Sequence, residues 1–176
     1  MDAEQAKTLE ALQYAIKMEI DGKAYYQEAS KRSCVQAGKE LFEWLAGQED
    51  EHRRRFEQVY KAIEETKAWP DIFVPNSKGN TLTTLFSQSR NVPECKDDNN
   101  KEELESIAKA MELENKTHDY YEQQSELGSY EAQISFYKAL AAEERKHYLA
   151  LVDYREYLID PAGWFGKSEH HSLDGG

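Results

Sequence analysis

Cysteine is scarce in this chain of 176 residues: Cys34 and Cys95 are its only two, and they form no C-x-x-C pair. They cannot supply a four-cysteine metal site. Two free thiols in a reducing cytosol are the expected state, with a disulfide between them as the alternative. Basic residues are in deficit, 22 Lys and Arg against 34 Asp and Glu, which leaves a net charge of -12. A chain so acidic repels phosphate backbones, so nucleic acid is excluded as a partner. Long apolar runs are missing, and the mean hydropathy is -0.88. No transmembrane span and no membrane partner are therefore expected. The N-terminus, Met1-Asp2-Ala3-Glu4, is acidic and has no apolar stretch, so no signal peptide is expected and the location follows as cytoplasmic.

Proline and glycine are sparse where periodicity is strong, and four helices are legible from apolar spacing. The first spans about 3–31, with the stripe Leu9, Leu12, Ile16, Glu19, Lys23 and Tyr26. Asp2 and Gln5 resemble a capping box at its start. The second spans about 36–68, with Leu45, Glu49, His52, Phe56, Val59 and Ile63, and Trp69-Pro70 ends it. The third spans about 101–127, with Leu104, Ile107, Met111, Glu114, His118 and Tyr121. Asn100 and Glu103 suit its N-terminal cap, Gly128 its end, and Ser129 the cap of the fourth. The fourth carries Leu140, Glu144, His147, Leu151, Tyr154 and Leu158.

Between the second and third helices, residues 70–100 hold Pro70, Pro75, Pro93, Gly79 and many polar residues, with room for a short helix at about 82–89. A helix of about 28 residues is roughly 42 Å long, and thirty extended residues reach about 100 Å. The segment can therefore cross the full height of a bundle. The expected fold is all-α: a four-helix bundle of two helical hairpins joined by a long crossover. Residues 1–159 form this domain, and 160–176 form a non-helical tail.

The third and fourth helices repeat the first and second at an offset of 95 residues. Glu19 pairs with Glu114, Glu49 with Glu144, and His52 with His147. Each half supplies one Glu and one Glu-x-x-His, and residues three apart share a helix face. All six interrupt apolar stripes. Buried carboxylates need compensating charge, and two divalent ions would supply four positive charges against four carboxylates. Inward Glu and Glu-x-x-His sets are the pattern of two-metal sites in bundle cores. The pattern does not choose the metal, because iron, manganese and zinc all accept these donors. Glu/His ligation leaves positions open to peroxide or dioxygen. One Glu-x-x-His alone would mean little; two at equal offset, each with an inward Glu, point to a metal centre.

At these residues the chain resembles the rubrerythrin branch of the ferritin-like superfamily. The resemblance rests on KMEIDGKAYYQEAS and MELENKTHDYYEQQS on the odd helices and on LAGQEDEHRRRF and LAAEERKHYLAL on the even ones. It implies a diiron centre bridged by Glu49 and Glu144, with Glu19 and Glu114 as terminal ligands and His52 and His147 as imidazole ligands. It also implies reduction of hydrogen peroxide in oxidative stress. Rubrerythrins usually carry a four-cysteine rubredoxin domain, so this chain would draw on an external donor such as a rubredoxin. They also place an additional Glu three residues after the third-helix ligand, where this chain has Thr117, with Gly22 as its repeat mate. Ferroxidase or iron-handling chemistry, and a non-enzymatic metal-binding role, are the alternatives.

Several further residues carry expectations. Tyr26 and Tyr121 lie seven residues after Glu19 and Glu114, on nearly the same face. They are candidates for hydrogen bonding to ligand carboxylates or for proton supply, with aromatic packing as the alternative. Tyr25 and Tyr120 are repeated beside them. His118 is expected to flank the site rather than ligate, since its mate is Lys23. Asp50, Glu51, Asp153 and Glu156 are expected to be solvated, and His170 and His171 to have no metal role. A homodimer is expected, with Phe42, Trp44, Phe136 and Tyr137 as apolar residues left over beside the metal stripe, Phe42 and Trp44 being core or dimer contacts, and Trp164 and Phe165 packing across the same seam.

Overall fold

The computed structural model describes residues 3–70, 72 and 97–164. Four helices account for nearly all of them: α1 (Ala3–Arg32), α2 (Gln36–Thr66), α3 (Asp97–Glu126) and α4 (Glu131–Ile159). α1 packs along α2 and α3 along α4, giving two hairpins. Across the bundle α1 meets α3 and α2 meets α4. The fold is thus an all-α four-helix bundle, and residues 67–96 connect its halves. The short helix expected at 82–89 lies outside the described residues.

The apolar stripes explain the packing. Every stripe residue of α2 and α4 is buried. On α1 and α3 the stripes are buried at Leu9, Leu12, Glu19, Tyr26, Ile107, Glu114 and Tyr121. The apolar core falls into two blocks. One gathers Tyr26, Phe42, Leu45, Ile107, Leu151 and Tyr154. The other gathers Leu12, Phe56, Val59, Tyr121, Tyr137 and Leu140. Along α2, Glu49 and His52 stand between Leu45 of one block and Phe56 of the other; along α4, Glu144 and His147 stand between Leu140 and Leu151. A polar layer therefore separates the two blocks.

Helix ends differ from expectation. α2 stops at Thr66, because Lys67 takes a left-handed conformation (φ 62°) and its N–H closes on the Ile63 carbonyl. α3 begins at Asp97, so Asn100 and Glu103 lie inside it and form no cap. Glu103 is instead buried, accepting hydrogen bonds from Ser33 Oγ (2.7 Å) and Tyr154 OH (2.8 Å). The N-cap of α4 is Tyr130 rather than Ser129, whose N–H donates to Gln133 Oε1 (3.3 Å). Asp2 lies outside the described residues, and Gln5 donates across the hairpin to the Ile63 carbonyl (3.2 Å).

Other expectations are corrected by packing. Phe42, Phe136 and Tyr137 are buried in the core and cannot form a subunit surface. Residues 161–164 make a helical turn rather than irregular tail. That turn buries Trp164, whose ring meets Tyr157 and whose indole N–H donates to Asp153 Oδ1 (2.8 Å). Asp153 is therefore engaged rather than free in solvent. Phe165, His170 and His171 lie outside the described residues. Asp50 is likewise not simply solvated: it accepts from Lys23 Nζ at 2.6 Å and pairs with Arg53 and Arg54. Cys34 is disulfide-bonded, which corrects the expected free thiols; Cys95, the only other cysteine, lies outside the described residues. No described helix is long and apolar enough to cross a membrane.

Gly38 is the tightest point beside Glu103. A Cβ there would collide with Tyr154 OH, Glu103 Oε1 and Ser33 Oγ. Gly38→Ala should therefore cost about 1–3 kcal/mol and lower the melting temperature by several degrees, with helicity at 25 °C unchanged. An unaltered melt would show that the Glu103 network yields without cost.

Candidate metal centre

The polar layer holds the six residues of the repeat. Glu19, Glu49, His52, Glu114, Glu144 and His147 are each no more than 2 % exposed. Their donor atoms form two overlapping groups: Glu19, Glu49, His52 and Glu144, and Glu49, Glu114, Glu144 and His147. Within each group the atoms lie within 4.8 Å of one another. Glu49 and Glu144 belong to both. Glu144 turns Oε1 toward His52 Nδ1 (2.9 Å) and Oε2 toward His147 Nδ1 (3.5 Å). His147 Nδ1 also lies 3.4 Å from Glu114 Oε2 and 3.5 Å from Glu49 Oε1. The two imidazoles are nearly parallel, with centroids 5.4 Å apart.

Whether metal ions fit can be tested on the unpaired atoms. Glu19 Oε2, Glu49 Oε1, His52 Nδ1, Glu114 Oε2, Glu144 Oε1 and His147 Nδ1 are all buried without a hydrogen-bond partner. Buried polar atoms are rarely left so, and here each of the six residues contributes one, aimed into the same layer. A carboxylate and imidazole set of this kind suits two divalent ions, and two residues common to both groups are what a bridged pair requires.

The electrostatics of the protein without metal agree. Burial, then the charge of Glu144, pushes the Glu49 carboxyl well above its usual range. Burial and Glu144 likewise raise Glu114 to about 8. Burial acts to lower His52, but the carboxylates of Glu144 and Glu19 outweigh it and hold the ring well above its usual value. At His147 burial is again outweighed, chiefly by Glu114. Glu144 goes the other way: burial opposes its charge, yet His52 and His147 hold it well below the usual carboxylate range. Protons thus stand in for cations, and metal uptake would release them.

Two tyrosines lace the layer crosswise. Tyr26 on α1 donates to Glu114 Oε1 on α3, and Tyr121 on α3 donates to Glu19 Oε1 on α1. Burial, followed by the partner carboxylate, pushes both phenols well above their usual value. Their neighbours Tyr25 and Tyr120 instead donate to the carbonyls of Ser106 (2.7 Å) and Ala11 (2.9 Å). His118 is not in either donor group; its Nδ1 lies 3.1 Å from Asp119. Thr117 Oγ1 reaches Glu144 Oε2 at 3.3 Å, and a Cβ on Gly22 would stand 3.5 Å from Glu49 Cγ. These repeat mates overlie the two shared carboxylates. Beside them a cavity of about 110 Å³ between α1 and α3 is lined by Met18, Gly22, Tyr26, Glu49, Glu114 and Thr117, among others.

One participant escaped the sequence reading. Glu143 is buried, and its Oε2 accepts from His52 Nε2 (2.9 Å) and Arg55 Nη1 (2.9 Å). Burial would raise its pKa, but His52 and Arg55 lower it to about 2. It sits one residue off the α4 stripe, so apolar periodicity gives it no signal. Only the second carboxylate in E-E-R-K-H hints at it.

Fold and site together define a ferritin-like bundle with a buried two-metal donor set. The rubrerythrin family profile matches residues 10–154, and the chain belongs to that family. No curated protein gives a significant match, and no solved structure does. Iron binding follows from the family, and the buried clusters are compatible with a diiron site.

The pKa directions set the pH dependence of the metal-free fold. Glu49, Glu114, His52 and His147 have raised folded values. What they contribute is complete below their unfolded values and lost as pH rises toward the folded ones. Glu143 and Glu144 are lowered, so their contribution holds above the unfolded carboxylate value and is lost only in stronger acid. Between pH 7 and 5.5 the first set alone changes, by at most about 1.4 kcal/mol per group per pH unit. Metal-free protein should therefore melt several degrees higher at pH 5.5 than at pH 7. Equal melts would mean that the carboxylates do not share one layer.

Proposed function

We propose that this protein is a diiron oxidoreductase that reduces hydrogen peroxide to water with electrons from a separate donor such as a rubredoxin. The observation that carries it is the convergence of six buried, unpaired donor atoms, one from each repeat residue, beside a small cavity. In this reading Glu49 and Glu144 would be the bridging ligands, Glu19 and Glu114 the terminal ones, and His52 and His147 the imidazole ligands. Two ferrous ions would supply the two electrons that, with two protons, turn peroxide into two waters; manganese or zinc would accept the same donors.

The chain's own residues do the rest. The two apolar blocks keep bulk water from the layer. Tyr26 and Tyr121 hold a proton against the terminal carboxylates Glu114 and Glu19. Their raised pKa values keep the phenols protonated, so they orient the carboxylates; Tyr26 also lines the cavity, where it is placed to relay a proton by way of Glu114. The cavity, about 110 Å³, has room for peroxide or dioxygen. The two cysteines of this sequence cannot form a rubredoxin site, and in this reading the reducing equivalents come from a separate donor in the cytoplasm. A homodimer belongs to this reading because ferritin-like bundles commonly pair through a helix face. Its surface must differ from the buried Phe42, Phe136 and Tyr137.

Metal analysis should find two ions per chain. Glu49→Ala or Glu144→Ala should lose both, whereas Glu19→Ala or Glu114→Ala should weaken chiefly one. A single ion indifferent to Glu144→Ala would overturn the ligand set.

In stopped-flow mixing, the reduced protein should be oxidised faster by hydrogen peroxide than by dioxygen, with repeated turnover only when a donor is added. Replacing both Tyr26 and Tyr121 by Phe should slow oxidation on the order of 10²-fold while leaving metal content unchanged. The specific ground for a second reading is Thr117, where rubrerythrins proper place a further carboxylate. Faster reaction with dioxygen, followed by release of ferric iron, would establish ferroxidase-type iron handling. No reaction with either oxidant would leave a metal-binding role.

A further inference from the structure

The duplication that builds the centre is broken at the outer edge of its two imidazoles. His52 Nε2 lies 2.9 Å from Glu143 Oε2, and the same oxygen accepts from Arg55 Nη1 at 2.9 Å. Glu143 is 2 % exposed. A carboxylate only accepts, so His52 holds a proton on Nε2 and faces the centre with Nδ1, the nitrogen that would be freed for a metal once its own proton is released. The equivalent residues on the other side are Gln48 and Ala150. There His147 Nε2 is buried with no hydrogen-bond partner among the described residues. Its ring meets the edge of Trp44, at 5.3 Å between centroids, and lies face to face with His52. The cavity breaks the symmetry in the same sense: besides the shared Glu49 it is lined by Glu114, which belongs to the His147 group alone, and not by Glu19, although neither imidazole lines it.

Resting on the two-metal reading above, we infer that Glu143, anchored by Arg55, is a positioning residue that makes the two metal positions unequal. The position served by His52 fills first and retains its ion. The position served by His147 is weaker and exchangeable, and it is the one facing the cavity. The physical basis is the outer partner of a ligating histidine. A carboxylate there fixes ring orientation and tautomer and raises the basicity of the ligating nitrogen, and losing such a partner typically costs 10–100-fold in metal affinity. An imidazole without that partner must be oriented by packing alone.

Calorimetric titration of the metal-free full chain with Zn(II) or Co(II) tests this. The wild type should bind two ions in resolved steps, about 10–100-fold apart. His147→Ala should abolish the weaker step and His52→Ala the tighter one. Glu143→Gln should weaken the tight step and bring the two together. Gln48→Glu, which offers His147 the missing carboxylate, should strengthen the weak step, and it keeps the idea testable should Glu143→Gln fail to fold. Cobalt absorption bands should follow the same order of filling. Two equal steps in the wild type, equal weakening of both steps by Glu143→Gln, or a Gln48→Glu protein that titrates like the wild type would overturn the inference while leaving the two-metal reading intact. A wild-type chain that binds no metal would instead defeat that reading.

Discussion

Four carboxylates share one buried layer of this bundle, and the rest of the structure is arranged around that unfavourable fact. Glu19, Glu49, Glu114 and Glu144 stand where helix stripes would otherwise be apolar. Like charges so placed cannot all ionise without cations among them. Without metal, protons on Glu49, Glu114 and the two histidines carry the compensation, with Glu144 ionised between the two rings. With metal, the ions take over. The apolar blocks above and below give the layer its low dielectric, which is why the compensation matters and why the donors are pre-set.

The crosswise tyrosines connect this charge problem to the assembly of the bundle. Each lies seven residues beyond its own helix's carboxylate, about 10.5 Å along the axis, too far to serve it. On antiparallel α1 and α3 the same seven-residue step brings each phenol to the other helix's carboxylate. Tyr25 and Tyr120 repeat the exchange with backbone carbonyls. The hairpins pack more intimately within themselves than with each other, so these reciprocal bonds are a principal tie between the two halves. Hydrogen bonds to charged groups contribute about 1.5–3 kcal/mol each, and here they also fix the terminal carboxylates. Correct docking of the hairpins and correct geometry of the site are thus one event.

How legible this was follows from where the information resides. Helix faces are periodic, so Glu19, Glu49, His52, Glu114, Glu144 and His147 stood out as polar breaks in apolar stripes, and the constant offset tied them into one set. Helix ends are not periodic. Asn100 and Glu103 look like a cap, but long-range packing claims Glu103 for Ser33 and Tyr154, and α3 starts earlier. Phe42, Phe136 and Tyr137 sit beside the metal stripes, and a one-dimensional pattern cannot tell a second buried row from a subunit surface. Glu143 was hidden for the same reason: its role depends on the opposite hairpin, which brings His52 and Arg55 to it. The Cys34 disulfide had no signal either, because two isolated cysteines carry no periodicity.

Duplication alone yields a symmetric site, whereas the proposed two-electron chemistry would benefit from one fixed and one accessible position. The changes that break the symmetry lie beside the ligands rather than at them. Gly22 and Thr117 lie three residues beyond Glu19 and Glu114; Gln48 and Glu143 immediately precede Glu49 and Glu144; Arg55 is matched by Ala150. At Gly22 the missing side chain leaves space against Glu49, whereas Thr117 places a hydroxyl on Glu144. Glu143 steadies one imidazole, whereas Gln48 leaves the other unpartnered. None of these substitutions alters a donor atom, so the charge balance that holds the layer together is preserved. What they change is access, orientation and basicity, the properties that distinguish two ions held by the same ligand types.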